Sequence, residues 1–227
     1  MRVLKAVLFD YGKTLVEFDY PETELLVAMR DAVPLLGPGA PDAETAVSEV
    51  LLPLERELET LGEDEVDYLQ VYERAWRRAG VDAPRAVLYR VLDREQQVWD
   101  AHVRPLPDAL PTLAGLRERG LRTAIASNAP FPPEMMRRQM RRLGFLDAVD
   151  AVVLSAEVGR RKPAPELYRA GLQAVGVGPD EALYVGDRLS EDYEGPRRLG
   201  MRALLLSSSP PPGVEAISRL AELLERL

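Results

Sequence analysis

The sequence predicts an α/β protein, a doubly wound parallel sheet of the Rossmann-like type with an all-helical subdomain inserted after the first strand. Nearly continuous apolar runs alternate with helix-like segments in the second half of the chain, as in strands that are covered on both faces. The segment between the first and second runs instead repeats apolar residues every three or four positions, which is typical of amphipathic helices.

The first element is a buried strand that leads into a carboxylate. The stretch "VLFDYGKTLV" starts inside an apolar run, reaches Asp10 and turns through "YGK". Later runs have the same character, so we expect five strands, over residues 3–9, 121–126, 151–154, 182–185 and 202–206. Because helix-like segments separate the later runs, parallel pairing with helical crossovers is predicted.

The inserted segment contains no convincing strand. Its leucine, tyrosine and tryptophan spacing predicts three or four helices. Proline lies in both junctions, "EFDYPE" at 17–22 and "VRPLPD" at 103–108. We therefore expect an α/β core of residues 1–16 and 104–227 and a helical cap of residues 17–103.

Two core helices have recognisable ends. In "PDALPTLAGLRERG", Asp108 is the expected N-cap and Gly120 the C-terminal stop. In "APELYRAGLQAVG", Pro165 lies near the start and Gly176 near the end.

The C-terminal part holds two further predicted helices. Pro196 would disturb a helix interior, so the helix around it is expected to start near Tyr193 or Glu194. The stretch "SSSPPPG" at 207–213 is expected to be a linker before a last helix over 214–227.

Some conspicuous side chains are expected to be structural. His102 is expected near the second junction without a chemical role. Trp76 and Trp99 are expected in the cap core rather than against substrate. A solvated helix face is predicted for four arginines: Arg137, Arg138, Arg141 and Arg142.

Composition excludes several classes of protein. No apolar run approaches the roughly 18 residues that a membrane span needs, and the N-terminus lacks a signal-peptide plan, so a cytoplasmic location without membrane association is expected. With no cysteine and one histidine, the chain offers no thiolate and no multi-histidine zinc site. A net charge of -8 argues against nucleic-acid binding. Three lysines among 29 basic residues suggest a GC-rich or heat-adapted source.

Polar residues follow the predicted strands at the edge where an open parallel sheet binds ligands. Asp10 follows the first strand, and Ser127-Asn128 ends the second. Asp187 follows the fourth strand, with Asp192 five residues further on. Lys162 follows the third strand, in "GRRKPAPELY".

Charge limits what such a cluster can hold. Two carboxylates about 4 Å apart repel by roughly 4 kcal/mol at an effective dielectric near 20. Three need a cation, and an all-oxygen ligand set suits Mg²⁺. Ser127, the Asn128 backbone N–H and Lys162 are donors for a phosphate group. Asp10 could then take up a phosphoryl group as an aspartyl phosphate.

Four motifs in this order resemble the haloacid dehalogenase-like hydrolase superfamily, whose members are mostly Mg²⁺-dependent phosphatases. They are "VLFDYGKTL", "IASN", "RKPAPELY" and "YVGDRLSED". The resemblance covers about 140 residues of core. The helical insertion also matches by position, since many members carry a helical cap there.

The resemblance implies a role for each motif residue. Asp10 would be the nucleophile, and Ser127 and Lys162 would hold the transferring phosphoryl group. The implied Mg²⁺ ligands are Asp10, the Gly12 carbonyl and Asp187, with Asp192 steadying the metal through water or Lys162. Asn128 and Thr14 complete the expected substrate contacts. The expected substrate is a small phosphorylated metabolite, selected by cap loops such as "FDYPE" and "EDEVDY".

Gly12 departs from the family pattern, which has a second aspartate there to protonate the leaving group and activate water. Such acid–base help contributes roughly 10²–10⁴-fold. Four interpretations therefore stay open. The first is a phosphatase with a good leaving group or with acid–base help from the cap or the substrate, and the second is a slow phosphatase or phosphotransferase with a long-lived aspartyl phosphate. The third is a dehalogenase or phosphonatase, and the fourth is a non-catalytic binding or regulatory protein. Lys13 is also unusual at a position that is commonly glycine, and it either reaches a substrate anion or points to solvent.

Overall fold

The computed structural model describes residues 3–19 and 21–227, and within them a six-stranded parallel sheet forms the centre. The strands in chain order are β1 Ala6–Phe9, β2 Val16–Glu17, β3 Arg104–Pro105, β4 Arg122–Ser127, β5 Ala151–Leu154, β6 Ala182–Gly186, β7 Arg202–Leu206 and β8 Ala216–Ile217. The sheet order is β5-β4-β1-β6-β7-β8, and β2 pairs with β3 separately. The five predicted strands are present, and the α/β, Rossmann-like fold class is confirmed.

Helices connect the strands on both faces of the sheet. In chain order they are α1 Glu22–Ala32, α2 Ala43–Thr45, α3 Leu52–Glu59, α4 Tyr68–Arg78, α5 Arg85–His102, α6 Ala109–Glu118, α7 Pro133–Arg142, α8 Phe145–Ala148, α9 Ser155–Val158, α10 Pro165–Ala174, α11 Gly195–Arg198 and α12 Glu222–Arg226. A 3₁₀ turn, Val33–Leu36, extends α1, and a π-helical turn, Ala46–Leu51, joins α2 to α3. The described residues of the insertion thus form four helical stretches, within the predicted three or four.

Strand β1 lies at the centre because both of its faces are apolar. Val7 and Phe9 pack into one hydrophobic cluster, with α6, α7, α8 and α12. Ala6 and Leu8 point to the other face, into a cluster with α10. All four residues are fully buried. Since successive side chains of a strand point to opposite faces, a continuous apolar run is what a two-sided sheet requires.

The two crossings between sheet and insertion lie side by side. Val16 pairs with Pro105 and Glu17 with Arg104 in the antiparallel β2–β3 pair. Helices α1 to α5 all lie between these strands in the chain. The division into a core (1–16 and 104–227) and a cap (17–103) remains our proposal. Met1, Arg2 and the junction residue Tyr20 lie outside the described residues.

Two expectations about element ends are wrong. Residues 214–227 do not form one helix, because β8 extends the sheet and only Glu222–Arg226 is α-helical. The helix around Pro196 begins earlier than expected, with a π-helical turn at Leu189–Glu194 that leads into α11, and Pro196 lies in the first turn of α11. Asp108 is the N-cap residue of α6, as expected, although its carboxylate accepts from the Ala221 N–H 2.9 Å away and not from the helix.

The loop between α3 and α4 docks beside Lys162. The Arg161 N–H donates to the Glu63 carbonyl at 2.8 Å, and the Glu65 N–H donates to the Gly159 carbonyl at 3.2 Å. The Arg161 guanidinium donates two hydrogen bonds to the Glu65 carboxylate, at 3.0 and 3.1 Å. Because both side chains are largely buried, this ion pair fixes the insertion against the core.

Two arginines of α7 also join insertion and core, so the expected solvated face holds only in part, with Arg141 exposed. Arg138 binds Asp93 at 2.5 Å, and Arg142 donates to backbone carbonyls at the end of α5. Arg137 pairs with Glu157 at 2.7 Å. Basic residues on a helix form ion pairs instead of facing solvent when acidic residues of a neighbouring helix lie opposite them.

We expect Glu65→Gln to lower the free energy of unfolding by about 2 kcal/mol, because a charge-assisted hydrogen bond is lost at a buried site. Urea denaturation measures the change. Glu63→Gln is the matched control, since the Glu63 carboxylate is half exposed and contacts Arg160 at the surface. Equal stability of wild type and Glu65→Gln would show that the ion pair does not hold the insertion.

Candidate active site

The sheet order brings the predicted site residues to one edge. Asp10 follows β1 directly, Ser127 ends β4 and Asp187 follows β6. Because β4 and β6 flank β1, their carboxyl ends meet around Asp10. The Ser127 hydroxyl donates to Asp10 Oδ1 at 2.9 Å.

Lys162 is the buried cation of this edge. Its ammonium group donates to Asp10 Oδ1 at 2.7 Å, to Asp192 Oδ1 at 2.7 Å and to the Tyr184 hydroxyl at 3.0 Å. These contacts use the three donors that an ammonium group has. Burial alone would lower the pKa of Lys162, but the charges of Asp10 and Asp192 outweigh it and raise the pKa well above its ordinary value. The side chain therefore stays charged at neutral pH.

Asp192 reaches the site because Gly186 has no side chain. A Cβ atom at Gly186 would overlap the Asp192 carboxyl group. The Arg188 N–H donates to Asp192 Oδ2 at 2.9 Å, which fixes the second oxygen. Burial raises the pKa of Asp192 above its ordinary value, against the opposing effect of Lys162. Burial and the nearby charge of Asp10 likewise raise the pKa of Asp187.

Three carboxylates meet at this edge. One oxygen from each of Asp10, Asp187 and Asp192 lies within 4.8 Å of the others. The raised pKa values of Asp187 and Asp192 mean that the folded protein resists ionisation of these two groups, and a divalent cation would relieve this. The donor set is all oxygen, which suits Mg²⁺. The residues present therefore fit the metal that the sequence suggests.

Asn128 and Thr14 have definite partners within the protein. Asn128 exchanges hydrogen bonds with the backbone of Lys162, accepting at 2.8 Å and donating at 3.1 Å. It also donates to Glu191 at 3.2 Å. The Thr14 hydroxyl is buried and donates to Asp187 Oδ1 at 3.4 Å. Both side chains thus position charged groups of the site, and direct substrate contacts for them stay a prediction.

The turn after Asp10 explains why glycine would suit position 13. Lys13 has a φ of 58°, a conformation that costs a residue with a side chain more than glycine. The Lys13 side chain is exposed and its ammonium lies 6.0 Å from the centre of the Phe18 ring. A Cβ atom at Gly12 would meet the Phe18 ring at 3.5 Å, which is an ordinary van der Waals contact. Lack of space therefore does not require glycine at this position.

Two adjoining cavities open beside Asp10. The polar cavity, of about 160 Å³, is lined by Asp10, Gly12, Lys13, Phe18, Ser127, Asn128, Arg161, Asp187, Arg188 and Glu191. The second cavity, of about 210 Å³, is lined by Tyr11, Gly12, Val16, Phe18, Glu55, Gln96, Trp99, Val103, Ser127, Asn128, Ala129, Phe131, Met136 and Gln139. Gly12, Phe18, Ser127 and Asn128 line both, so a ligand held at Asp10 can extend from one cavity into the other.

The second cavity contains residues that the sequence did not single out. Glu55 and Gln96 come from α3 and α5, and Gln139 comes from α7. Trp99 also lines this cavity, with its ring edge-on to Phe18 at 6.0 Å, so its expected place in the cap core is wrong. Trp76 is fully buried among cap residues, as expected. Glu55, Gln96, Trp99 and Gln139 lie far apart in sequence, and each sits in an amphipathic helix.

Glu95 is a buried carboxyl group behind this cavity. It accepts a hydrogen bond from the Tyr72 hydroxyl at 3.0 Å. Burial, together with the negative charge of Glu55, raises the pKa of Glu95 to about 8. The unfolded chain loses this proton near pH 4.5, whereas the folded protein keeps it up to about pH 8. Glu95 therefore lowers the free energy of unfolding as the pH rises through this range, and its destabilising effect is greatest above pH 8.

We expect Glu95→Gln to stabilise the protein at pH 8 and to change stability little at pH 5, because glutamine resembles the protonated acid. Thermal unfolding at both pH values tests this, with Glu118→Gln at an exposed position as the control. A variant that is no more stable than wild type at pH 8 would contradict the raised pKa.

The similarity to known proteins agrees with this geometry. The family model for haloacid dehalogenase-like hydrolases matches residues 4–200, so the chain belongs to the haloacid dehalogenase-like hydrolase family, as its motifs indicated. It is accordingly an enzyme of the hydrolase class.

Two archaeal relatives match most of the chain. A glyceraldehyde 3-phosphate phosphatase from Methanopyrus kandleri is 30% identical over 88% of this chain and 82% of its own length. A second protein of that name, from Pyrococcus abyssi, is 32% identical over 89% of this chain and 81% of its own length. A phosphoserine phosphatase from Thermus thermophilus is 35% identical, but over 60% of this chain and 52% of its own.

Solved structures share the fold. A HAD phosphatase from Thermococcus onnurineus superposes with a TM-score of 0.68 at 23% identity, over 98% of this chain and 97% of that one. A 2-haloacid dehalogenase from Pseudomonas syringae gives 0.70 at 23% identity with the same coverage. Because both phosphatases and dehalogenases appear at this similarity, the fold alone does not select the reaction. None of the helices in the described residues has the length and apolar character of a membrane span.

We expect Gly186→Ala to damage the site by pushing Asp192 away from Lys162. Overpacking of this kind lowers stability by about 1–3 kcal/mol. Thermal unfolding measures the loss, and a crystal structure would show the Lys162–Asp192 distance lengthened from 2.7 Å. The control is Gly62→Ala, where an added Cβ meets nothing within 4 Å. An unchanged melting temperature and distance would contradict this account of Gly186.

Proposed function

We propose that the protein hydrolyses a small phosphate monoester in two steps, through an aspartyl phosphate on Asp10. The observation that carries the proposal is the shared hydrogen bonding of Asp10 Oδ1, which accepts from both the Ser127 hydroxyl and the Lys162 ammonium. These donors hold the carboxylate in place, and they lie where the oxygens of an incoming phosphoryl group would be.

The first step transfers the phosphoryl group to Asp10. A carboxylate oxygen attacks phosphorus while the bond to the ester oxygen breaks. Ser127 and Lys162 donate hydrogen bonds to the phosphoryl oxygens, and Lys162 offsets their negative charge. The leaving group lies in the second cavity, which begins at Gly12 and Ser127. In the second step water attacks the phosphoryl group from that side and restores Asp10.

Asp10, Asp187, Asp192 and the Gly12 carbonyl are the residues that would hold Mg²⁺. The bound ion would neutralise charge on the phosphate and on the three carboxylates. Thr14 and Arg188 keep two of these carboxylates in place, through Asp187 Oδ1 and Asp192 Oδ2. This arrangement favours a metal-assisted phosphatase over a dehalogenase, which needs no metal.

The relatives and the cavity both favour a small substrate. Two proteins named glyceraldehyde 3-phosphate phosphatase match nearly nine tenths of this chain. A second cavity of about 210 Å³ lies below the range of roughly 300–1,000 Å³ that holds drug-sized ligands. We therefore propose a phosphorylated metabolite of about the size of glyceraldehyde 3-phosphate.

Gly12 favours a second candidate, a slow phosphatase or phosphotransferase. Without a carboxylate at this position, water attack on the aspartyl phosphate loses general base help of roughly 10²–10⁴-fold. A long-lived phosphorylated enzyme would then pass its phosphoryl group to another acceptor.

We expect Asp10→Asn to reduce phosphate release from p-nitrophenyl phosphate and glyceraldehyde 3-phosphate by about 10³-fold or more, because the nucleophile is removed. Wild-type release should depend on Mg²⁺. Asp82→Asn, at an exposed residue outside both cavities, is the control. Undiminished activity of Asp10→Asn would refute the mechanism.

Mass spectrometry separates the two candidates. Wild type quenched with acid during turnover should carry little phosphate on Asp10 if it is an efficient phosphatase. Near-complete phosphorylation of Asp10 would establish the slow alternative. Neither turnover nor phosphorylation would identify a non-catalytic binding protein.

A further inference from the structure

The second cavity offers a replacement for the acid–base group that Gly12 cannot supply. In the proposed reaction the leaving oxygen lies on the Gly12 side of Asp10, at the entrance to this cavity. A proton donor for that oxygen must therefore line the cavity or its rim. Two residues that line it have titratable side chains among those that the structure describes, Tyr11 and Glu55.

Tyr11 does not suit the task. Its side chain is buried, and burial raises the pKa of the phenol above its ordinary value. A phenol with a raised pKa is a weak proton donor at neutral pH and does not become the base that the second step needs. Gln96 and Gln139 form hydrogen bonds but do not exchange protons in this range.

The charged groups of the polar cavity do not line the second cavity. Glu191 accepts hydrogen bonds from Asn128 and Arg188. Arg161 is bound to Glu65, and arginine does not release its proton in proteins. Lys13 could donate a proton but would have to be neutral to take one from water. Among the described residues, Glu55 is the carboxyl group that lines the second cavity, where the leaving oxygen is proposed to lie.

The position of Glu55 in α3 supports this. Leu54 and Leu58 of the same helix pack in the cap core, whereas Glu57, two residues from Glu55 and on the opposite side of the helix, faces Arg78 outside. Glu55 itself is half-buried and lines the cavity. Its negative charge contributes to the raised pKa of the buried Glu95 carboxyl group.

We propose that Glu55 is the general acid and general base of the reaction, taking the place of the absent aspartate at position 12. In the first step protonated Glu55 gives its proton to the ester oxygen while the phosphorus–oxygen bond breaks and Asp10 gains the phosphoryl group. In the second step the Glu55 carboxylate takes a proton from the water that attacks phosphorus. Phosphate leaves, and Asp10 and protonated Glu55 are restored. This inference rests on the proposed phosphatase activity.

The test compares leaving groups. Loss of a general acid slows esters of poor leaving groups much more than esters of good ones. For Glu55→Gln we expect turnover of an alkyl phosphate to fall about 100-fold or more. The initial burst of p-nitrophenol from p-nitrophenyl phosphate should change less than about 10-fold, because this leaving group needs little protonation. Steady-state turnover after the burst should slow, since water attack has lost its base.

The matched control is Glu57→Gln, the same substitution two residues away on the outer face of α3. It should leave the ratio of alkyl to aryl turnover unchanged. A second variant tests whether a carboxylate at position 12 restores the activity lost in Glu55→Gln. Gly12→Asp has room for its Cβ atom beside Phe18, so Gly12→Asp combined with Glu55→Gln should regain at least about 10-fold in alkyl phosphate turnover.

Several outcomes would overturn the proposal. An equal loss on all esters would assign Glu55 a structural role, and a rise in KM confined to amine-bearing esters would make it a binding group for a substrate cation. The same leaving-group pattern in Lys13→Met but not in Glu55→Gln would move the role to Lys13. Failure of the phosphatase proposal itself is distinct, because wild type would then show no turnover that depends on Asp10.

Discussion

The buried ammonium group of Lys162 is the interaction on which the rest of the site depends. It contacts Asp10 and Asp192 at 2.7 Å each, at the edge of the sheet where Asp187 also lies. Removing water from several carboxylates is costly unless positive charge accompanies them. Asn128 fixes the backbone of Lys162 and Gly186 admits Asp192. The neighbouring residues are thus arranged to bring one cation and three carboxylates together.

Sheet and insertion contribute different parts of the site. The sheet edge holds the charged groups, while the insertion contributes Glu55, Gln96 and Trp99 to the adjoining cavity. The contact between Arg161 and Glu65 joins the two beside Lys162. A ligand that occupies both cavities therefore contacts both parts of the chain. This connection gives the insertion a direct way to influence binding and to exclude water from the reacting atoms.

The sequence predicts the structure best where a local pattern of apolar and polar residues determines the element. Apolar runs covered on both faces identified the five longer strands, and the polar residues after the first, second and fourth of them predicted a candidate site at an edge where the structure brings these residues together. It failed for β8 and for the hydrogen bonding of Asp108. Both depend on where the C-terminal segment packs, since Ala216 pairs with Leu205 and Ala221 binds Asp108. Long-range contacts of this kind leave no periodic signal.

The sequence by itself determined the five longer strands, the order of the motifs and the identity of the charged residues around Asp10. Parallel strands must align their carboxyl ends, so chain order and strand ends suffice for that part. Only the tertiary structure decided that Glu55 and Trp99 line a cavity beginning at Gly12. Their helices are amphipathic like many others, and the partner that an apolar face meets is set by packing against distant segments rather than by its own pattern.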